Sequence, residues 1–242
     1  MLKVELTENY AGVTICGDYN DLDNLYDSIH YFIKEEPNSL GEYIMQNHIY
    51  GFLYDVRHAY QGDREARLID NYLQEDKRQW LGLKKKDITE HNMYFSFNYL
   101  LPDIFLDMIL IKNFMRNIDK KVNDIYNPYI NMVNYFYSLV LHSLENMLTE
   151  IKFNKIKKGI MNAFTYDKLF IPQWFEIIAI DYAKMNKKQR EKGFMHIMDE
   201  IYNYMNYEDY YNMKKELEKL CEEKNCSLDD LHYDDYPEEI EW

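Results

Sequence analysis

Tyr94-Phe95-Ser96-Phe97-Asn98-Tyr99-Leu100-Leu101-Pro102-Asp103 is the stretch that decides the fold of this chain. From Tyr94 to Tyr99 aromatic and polar residues alternate with period two, the pattern of a strand with two unlike faces. Pro102 follows, at a position that suits the first turn of a helix. Asp103 to Ile118 is then apolar on most sides, which predicts a central helix. A strand running straight into a buried helix implies a mixed architecture. Upstream, Val4 and Leu6 alternate with polar neighbours, Thr7 to Gly12 turns the chain, and Val13 and Ile15 alternate again. This predicts a hairpin that the Tyr94–Tyr99 strand can join, since three strands on a helical layer are viable where two alone are marginal.

Helices account for most of the remainder. Asn20 or Asp21 is placed to cap a helix whose apolar face carries Leu22, Leu25, Tyr26, Ile29, Phe32 and Ile33. Pro37-Asn38-Ser39 breaks it, and a second helix runs from about Leu40 to Tyr60. Gly62 to Glu90 is polar and charged and reads as a loop with one broken helix. Pro128 opens a helix reaching about Ile151. Shorter ones are expected at Lys155–Phe164, Gln173–Ala183, Gln189–Met205 and Glu208–Glu223. With 8 Gly and 5 Pro in 242 residues, tight turns are few and elements long. The expected fold class is α+β, mainly α-helical: a multi-helix domain with a small antiparallel β-sheet made of the N-terminal hairpin plus one later strand. Residues 1–226 form that domain, and 227–242 form an acidic, aromatic C-terminal tail.

Charge is distributed unevenly. The net charge is −14, of which Tyr207–Trp242 contributes thirteen acidic and four basic residues. Met1–Glu36 contributes eight acidic and two basic, and Pro37–Asn206 is nearly neutral with 21 and 22. Acidic ends repel phosphate backbones and attract basic surfaces, which argues against direct nucleic-acid binding. The basic clusters at Lys84-Lys85-Lys86, Lys152/Lys155/Lys157/Lys158 and Lys184/Lys187/Lys188/Arg190/Lys192 read as solvated helix faces. Hydrophobic residues at 47% exclude a disordered chain, and 24 Tyr supply apolar area with a hydroxyl to satisfy. The uncharged stretch Ile125–Leu144 holds too many Asn, Ser and His residues for a membrane span, and the N-terminus lacks a signal-peptide apolar run. Three cysteines (Cys16, Cys221, Cys226) form no disulfide framework. A cytoplasmic protein is expected, in a bacterium or in a phage-infected host.

Gly17-Asp18-Tyr19-Asn20-Asp21-Leu22 and Phe95-Ser96-Phe97-Asn98-Tyr99-Leu100-Leu101-Pro102 resemble stretches of an uncharacterised family of bacterial and phage hypothetical proteins. The resemblance covers about the first half of the chain. It implies a bacterial or phage origin and assigns no site residue.

Nucleotide-binding glycine motifs, nucleophile elbows and His-Glu-x-x-His are absent from the sequence. Asp27/His30, Asp55/His58, His142/Glu145 and His196/Asp199 are acid–histidine pairs at helical spacing. They suit surface pairing, or metal ligands on facing helices. Cys221, Cys226 and His232 lack a zinc-site spacing. Asp107, on the most apolar helix, is the carboxylate expected to have a displaced pKa, whereas Asp103 suits the helix dipole. No cofactor and no metal site are called for. The C-terminal run holds the candidate interface: Asp229, Asp230, Tyr233, Asp234, Asp235, Tyr236, Glu238, Glu239 and Trp242. Acid interleaved with aromatic residues fits a segment that docks on a basic protein surface; the alternative is a terminus whose aromatics fold back on their own body. The leading expectation is a non-enzymatic inhibitory protein of the immunity, antitoxin or phage anti-defence type. Alternatives are a metal-dependent enzyme using Asp/His pairs on a nucleotide or small polar substrate, and a homo-oligomer joined through Tyr-rich faces.

Overall fold

Four strands form the sheet: β1 (Lys3–Leu6), β2 (Gly12–Gly17), β3 (Glu65–Asp70) and β4 (His91–Leu100), all antiparallel in the order β1-β2-β4-β3. The computed structural model describes residues 1–73, 75–82, 84, 90–117, 126–145, 147–162, 169–231, 233 and 235–242. The hairpin and the later strand are as the sequence implies. In the register, Val13 faces Tyr99 and Ile15 faces Phe97. β3 is an addition: it lies where a loop was expected, on the far side of β4. Its side chains are almost all exposed, so no apolar alternation betrays it.

Nine α-helices occur among the described residues: α1 (Tyr19–Ile33), α2 (Leu40–Tyr60), α3 (Glu75–Trp80), α4 (Leu101–Asn117), α5 (Pro128–Ser143), α6 (Glu150–Asn162), α7 (Ile171–Lys184), α8 (Lys187–Tyr202) and α9 (Glu208–Lys224). α1 starts two or three residues earlier than expected. Its cap is Asp18, whose side chain accepts from the Asp21 amide while Asp21 accepts from the Asp18 amide. Neither Asn20 nor Asp21 is the cap residue. α2 has the expected bounds, with Ser39 capping it through the Glu42 amide. α5 ends at Ser143, earlier than Ile151, and α6 starts afresh at Glu150.

α4 is central, as its composition requires. Ile104, Phe105, Leu106, Met108, Ile109, Leu110 and Ile111 are all buried, and the helix touches α1, α2, α6, α7 and α8 as well as the sheet. Each such side chain contributes roughly 1.5–3 kcal/mol on burial, so this helix organises the core. No helix among the described residues is long and apolar enough to cross a membrane.

The segment set apart as a tail lies against this body. Tyr233 and Leu231 pack on the main core, while Ile240 and Trp242 pack on Ala11, Leu100, Ala179 and Ala183. Gly12 is required there, because a Cβ would collide with the Tyr99 carbonyl and the Trp242 ring. The Asn9 amide donates to the Trp242 carbonyl at 3.2 Å. Arg190 fixes the arrangement. Fully buried, it donates to the carbonyls of Tyr182 (3.3 Å), Ala183 (3.0 Å), Asn9 (3.1 Å) and Glu241 (2.6 Å). One guanidinium thus ties the end of α7, the hairpin turn and the C-terminal strap together. Its sequence neighbours imply a solvated basic face, but the four carbonyls it faces hold it inside.

Candidate functional site: an acidic cavity beside the C-terminal strap

A cavity of about 460 Å³ opens where α2, β4, α4, α7 and the strap meet. The helical period builds its walls. His48, Gly51 and Asp55 fall on one face of α2, Gln173 and Glu176 lie one turn apart on α7, and Asp103 stands in the first turn of α4. Tyr99 enters from β4, and Leu231 and Tyr236 from the strap. Three carboxylates line it, and no Lys or Arg does so among the described residues. Arg64 lies at one side, donating to Asp55 at 2.7 Å.

Behind this wall Asp107 is completely buried, with His48 Nε2 3.7 Å from its Oδ1. That separation is too long for a hydrogen bond. Among the described residues, neither Asp107 oxygen has a hydrogen-bond partner, nor have His48 Nε2 and Gln173 Oε1. A buried polar atom left so costs about 1–3 kcal/mol; His48 and Gln173 are among the cavity's lining residues, and Asp107 lies beneath His48.

Burial sets the protonation states. It pushes the Asp107 carboxyl well above the usual carboxylate range, with the facing Tyr99 phenol pulling it partly back and Asp103 pushing it up again. It lowers His48 to about 4, leaving a neutral imidazole at pH 7. Asp103 is raised to about 7, chiefly by burial and then by the Glu176 carboxylate. The helix dipole therefore does not dominate at Asp103. Chemically, the cavity offers a negative, acceptor-rich wall and a carboxyl that exchanges its proton near neutrality.

Of the candidate interface residues, Tyr236 lines the cavity. Asp235, Glu238 and Glu239 are exposed on the strap. Asp230 accepts from the Ser227 amide at the short 3-10 turn Leu228–Asp230, which includes Asp229. Tyr233 and Trp242 are half-buried anchors. Asp234 and His232 lie outside the described residues. The acid–histidine pairs mostly separate. Asp55 takes Arg64, and His58 meets Asp63 at 3.1 Å. His196 is nearest Glu200 at 3.6 Å, and Asp199 accepts from Tyr207 and Asn203. His30 stacks on Tyr26, while His142 and Glu145 do pair, 2.9 Å apart and exposed. Among the described residues no group of three His, Cys, Asp or Glu side chains is placed to hold a metal ion, and no disulfide joins any of the three cysteines.

The sequence reading does not single out His48, Gln173 or Glu176. One signal was present for His48: it falls at helical spacing within the stripe of Met45, Ile49 and Phe52, where a polar side chain is out of pattern.

Residues 2–242 match the family model described as a domain of unknown function (DUF6904). The chain belongs to that family. No curated protein and no solved structure matches it.

Proposed function

We propose that this protein is a non-enzymatic binding protein that blocks a basic protein partner, of the immunity, antitoxin or phage anti-defence type, acting in the cytoplasm of a bacterium or an infected host. The observation that carries this reading is the pinned strap. Arg190 and Trp242 fasten the C-terminal segment to the body, so Asp235, Glu238 and Glu239 are presented exposed on a held backbone next to Tyr236. A held segment loses little entropy on docking, and its charges steer a cationic partner to the surface. The test is a salt series of association rates with a partner captured from the source cells. The Asp235→Asn/Glu238→Gln/Glu239→Gln variant should associate about tenfold more slowly at low salt; an unchanged on-rate refutes the docking role of the strap.

The cavity favours a second reading, an enzyme acting by proton transfer on a nucleotide or small polar substrate. Its support is the adjacency of half-buried His48 and fully buried Asp107 with an Asp103 that titrates near pH 7. These groups suit acid–base work better than metal ligation. A turnover that survives His48→Asn and Asp103→Asn unchanged removes this reading.

A further inference from the structure

We infer that a groove between α4, α5 and α6 is a binding site for a single-chain amphiphilic anion, an apolar tail with a carboxylate or phosphate head. It lies apart from the acidic cavity and does not rest on the docking reading above. Helical spacing builds it. Met115 and Arg116 follow Lys112 on one face of α4, Ser138 and Leu141 follow Asn134 on one face of α5, and Lys157 and Ile160 stand one turn apart on α6. α5 packs on α1 and β1, and its Asn134, Ser138 and Leu141 are left to line the groove. The hollow holds about 440 Å³, within the usual range of roughly 300–1,000 Å³ for small-ligand sites.

Two observations point to the ligand. The first is the sign of the charge. Lys112, Arg116 and Lys157 line the groove and no Asp or Glu does so among the described residues, in a chain whose net charge is −14. Lys157 is exposed and has no ion pair or hydrogen bond among the described residues. Lys112 is half-buried and donates to the Ile160 carbonyl at 3.1 Å. An ammonium has three donors, so a bond to a neutral carbonyl holds the charge in place without cancelling it. Burial, and then Arg116, lower Lys112 to about 8, which keeps it mainly protonated at pH 7.

The second observation is the apolar surface that leads away from these cations. Met115 and Leu141 are half-buried, so the groove wall is open to a ligand. Past Ser138 and Leu141 the groove continues into a further hollow of about 420 Å³ between α5 and α6, where half-buried Phe153 joins the wall. A bare inorganic anion leaves that surface wet, and an uncharged lipid leaves the cations unmatched. An anion with an unbranched tail suits both: Arg116 forks onto the head oxygens with the lysines beside it, and Leu141 and Phe153 flank the tail. Each methylene buried there strengthens binding about fourfold.

The experiment is isothermal titration of the full chain at pH 7. Octanoate and octyl phosphate are the probes, octanamide and octylammonium the head controls, and butanoate the tail control. The anions are expected to bind at least about tenfold more tightly than octanamide, and butanoate about a hundredfold more weakly than octanoate. Lys157→Gln and Arg116→Gln should each lower anion affinity about fivefold. Ser138→Trp, whose ring fills the junction of the two hollows, should abolish binding, while Lys219→Gln on α9 leaves it unchanged. The tighter of the two anions identifies the head. Octanamide or octylammonium binding as tightly as octanoate overturns the inference, and so does butanoate matching octanoate or an absence of binding at millimolar octanoate. Wild-type affinity in Ser138→Trp, checked as folded by circular dichroism, overturns it too. No strap residue lines the groove among the described residues, so failure here leaves the docking reading standing, and an unchanged on-rate in the strap variant leaves this inference standing.

Discussion

Replacing Arg190 by Met should cost about 3–5 kcal/mol of folding stability. Its guanidinium is fully buried and donates to four main-chain carbonyls. A hydrogen bond from a charged donor is worth about 1.5–3 kcal/mol net, but taking the cation out of water offsets several kcal/mol of that gain. Methionine keeps much of the packing and leaves the carbonyls of Tyr182, Ala183, Asn9 and Glu241 without this donor. Tyr182 and Ala183 lie in the last turn of α7, where the Tyr182 carbonyl also accepts from the Met185 amide at 3.2 Å, so the loss there is partial. Against the roughly 5–15 kcal/mol available to a typical domain, the loss is at least about a fifth. Two assays read it. Urea unfolding gives the free energy, and limited proteolysis gives the release of the strap, since Glu241 and Asn9 lose their shared clamp. Arg190→Lys, with a point charge and three donors, should fall between. A loss below about 1 kcal/mol for Arg190→Met, with the C-terminal segment still protected, would refute the clamp.

Asp103 carries a folded-state pKa near 7, above its ordinary value of 3.8, so its contribution is fully present below about pH 4 and is lost as pH rises through 7. Asp103→Asn should therefore gain stability relative to wild type as pH climbs from 5 to 8 in denaturant melts, with Glu176, Asp107, Tyr99, Tyr236 and His48 the groups that face it. A constant difference over that range counts against the raised pKa. For His48, held near 4 against an ordinary 6.5, the sign is opposite: stability falls as pH drops from 6.5 towards 4, and His48→Gln should flatten that slope in acid-unfolding curves. Gly159→Ala should destabilise by about 1–3 kcal/mol, because its Cβ would strike the Tyr202 ring. Gly51→Ala meets nothing and should stabilise α2 by about 0.5–1 kcal/mol; thermal melts that rank the two alike would contradict the packing described.

The legible parts of the fold were those with a period. α2 was readable to its ends because a Pro-Asn-Ser break precedes it and an apolar stripe runs its length. β4 and α4 declared themselves through aromatic alternation and an all-round apolar helix. β3 did not, because its side chains face water and an edge strand needs no apolar face. The cavity was half legible. Asp107 stood out as a carboxylate on an apolar helix, but Gln173, Glu176 and His48 come together only when α2, α4 and α7 pack. Arg190 misled by its neighbours: Lys184, Lys187, Lys188 and Lys192 surround it in sequence, and only the α7 carbonyls and the returning strap distinguish it.

The outer side of β3 has no strand partner among the described residues, and an open rim of that kind invites a second molecule to extend the sheet. Symmetric addition of another copy would set Glu65 against Asp70 at both ends of the new ladder, two like-charge oppositions for a pairing of six residues. The rim thus discourages its own duplication in that centred register.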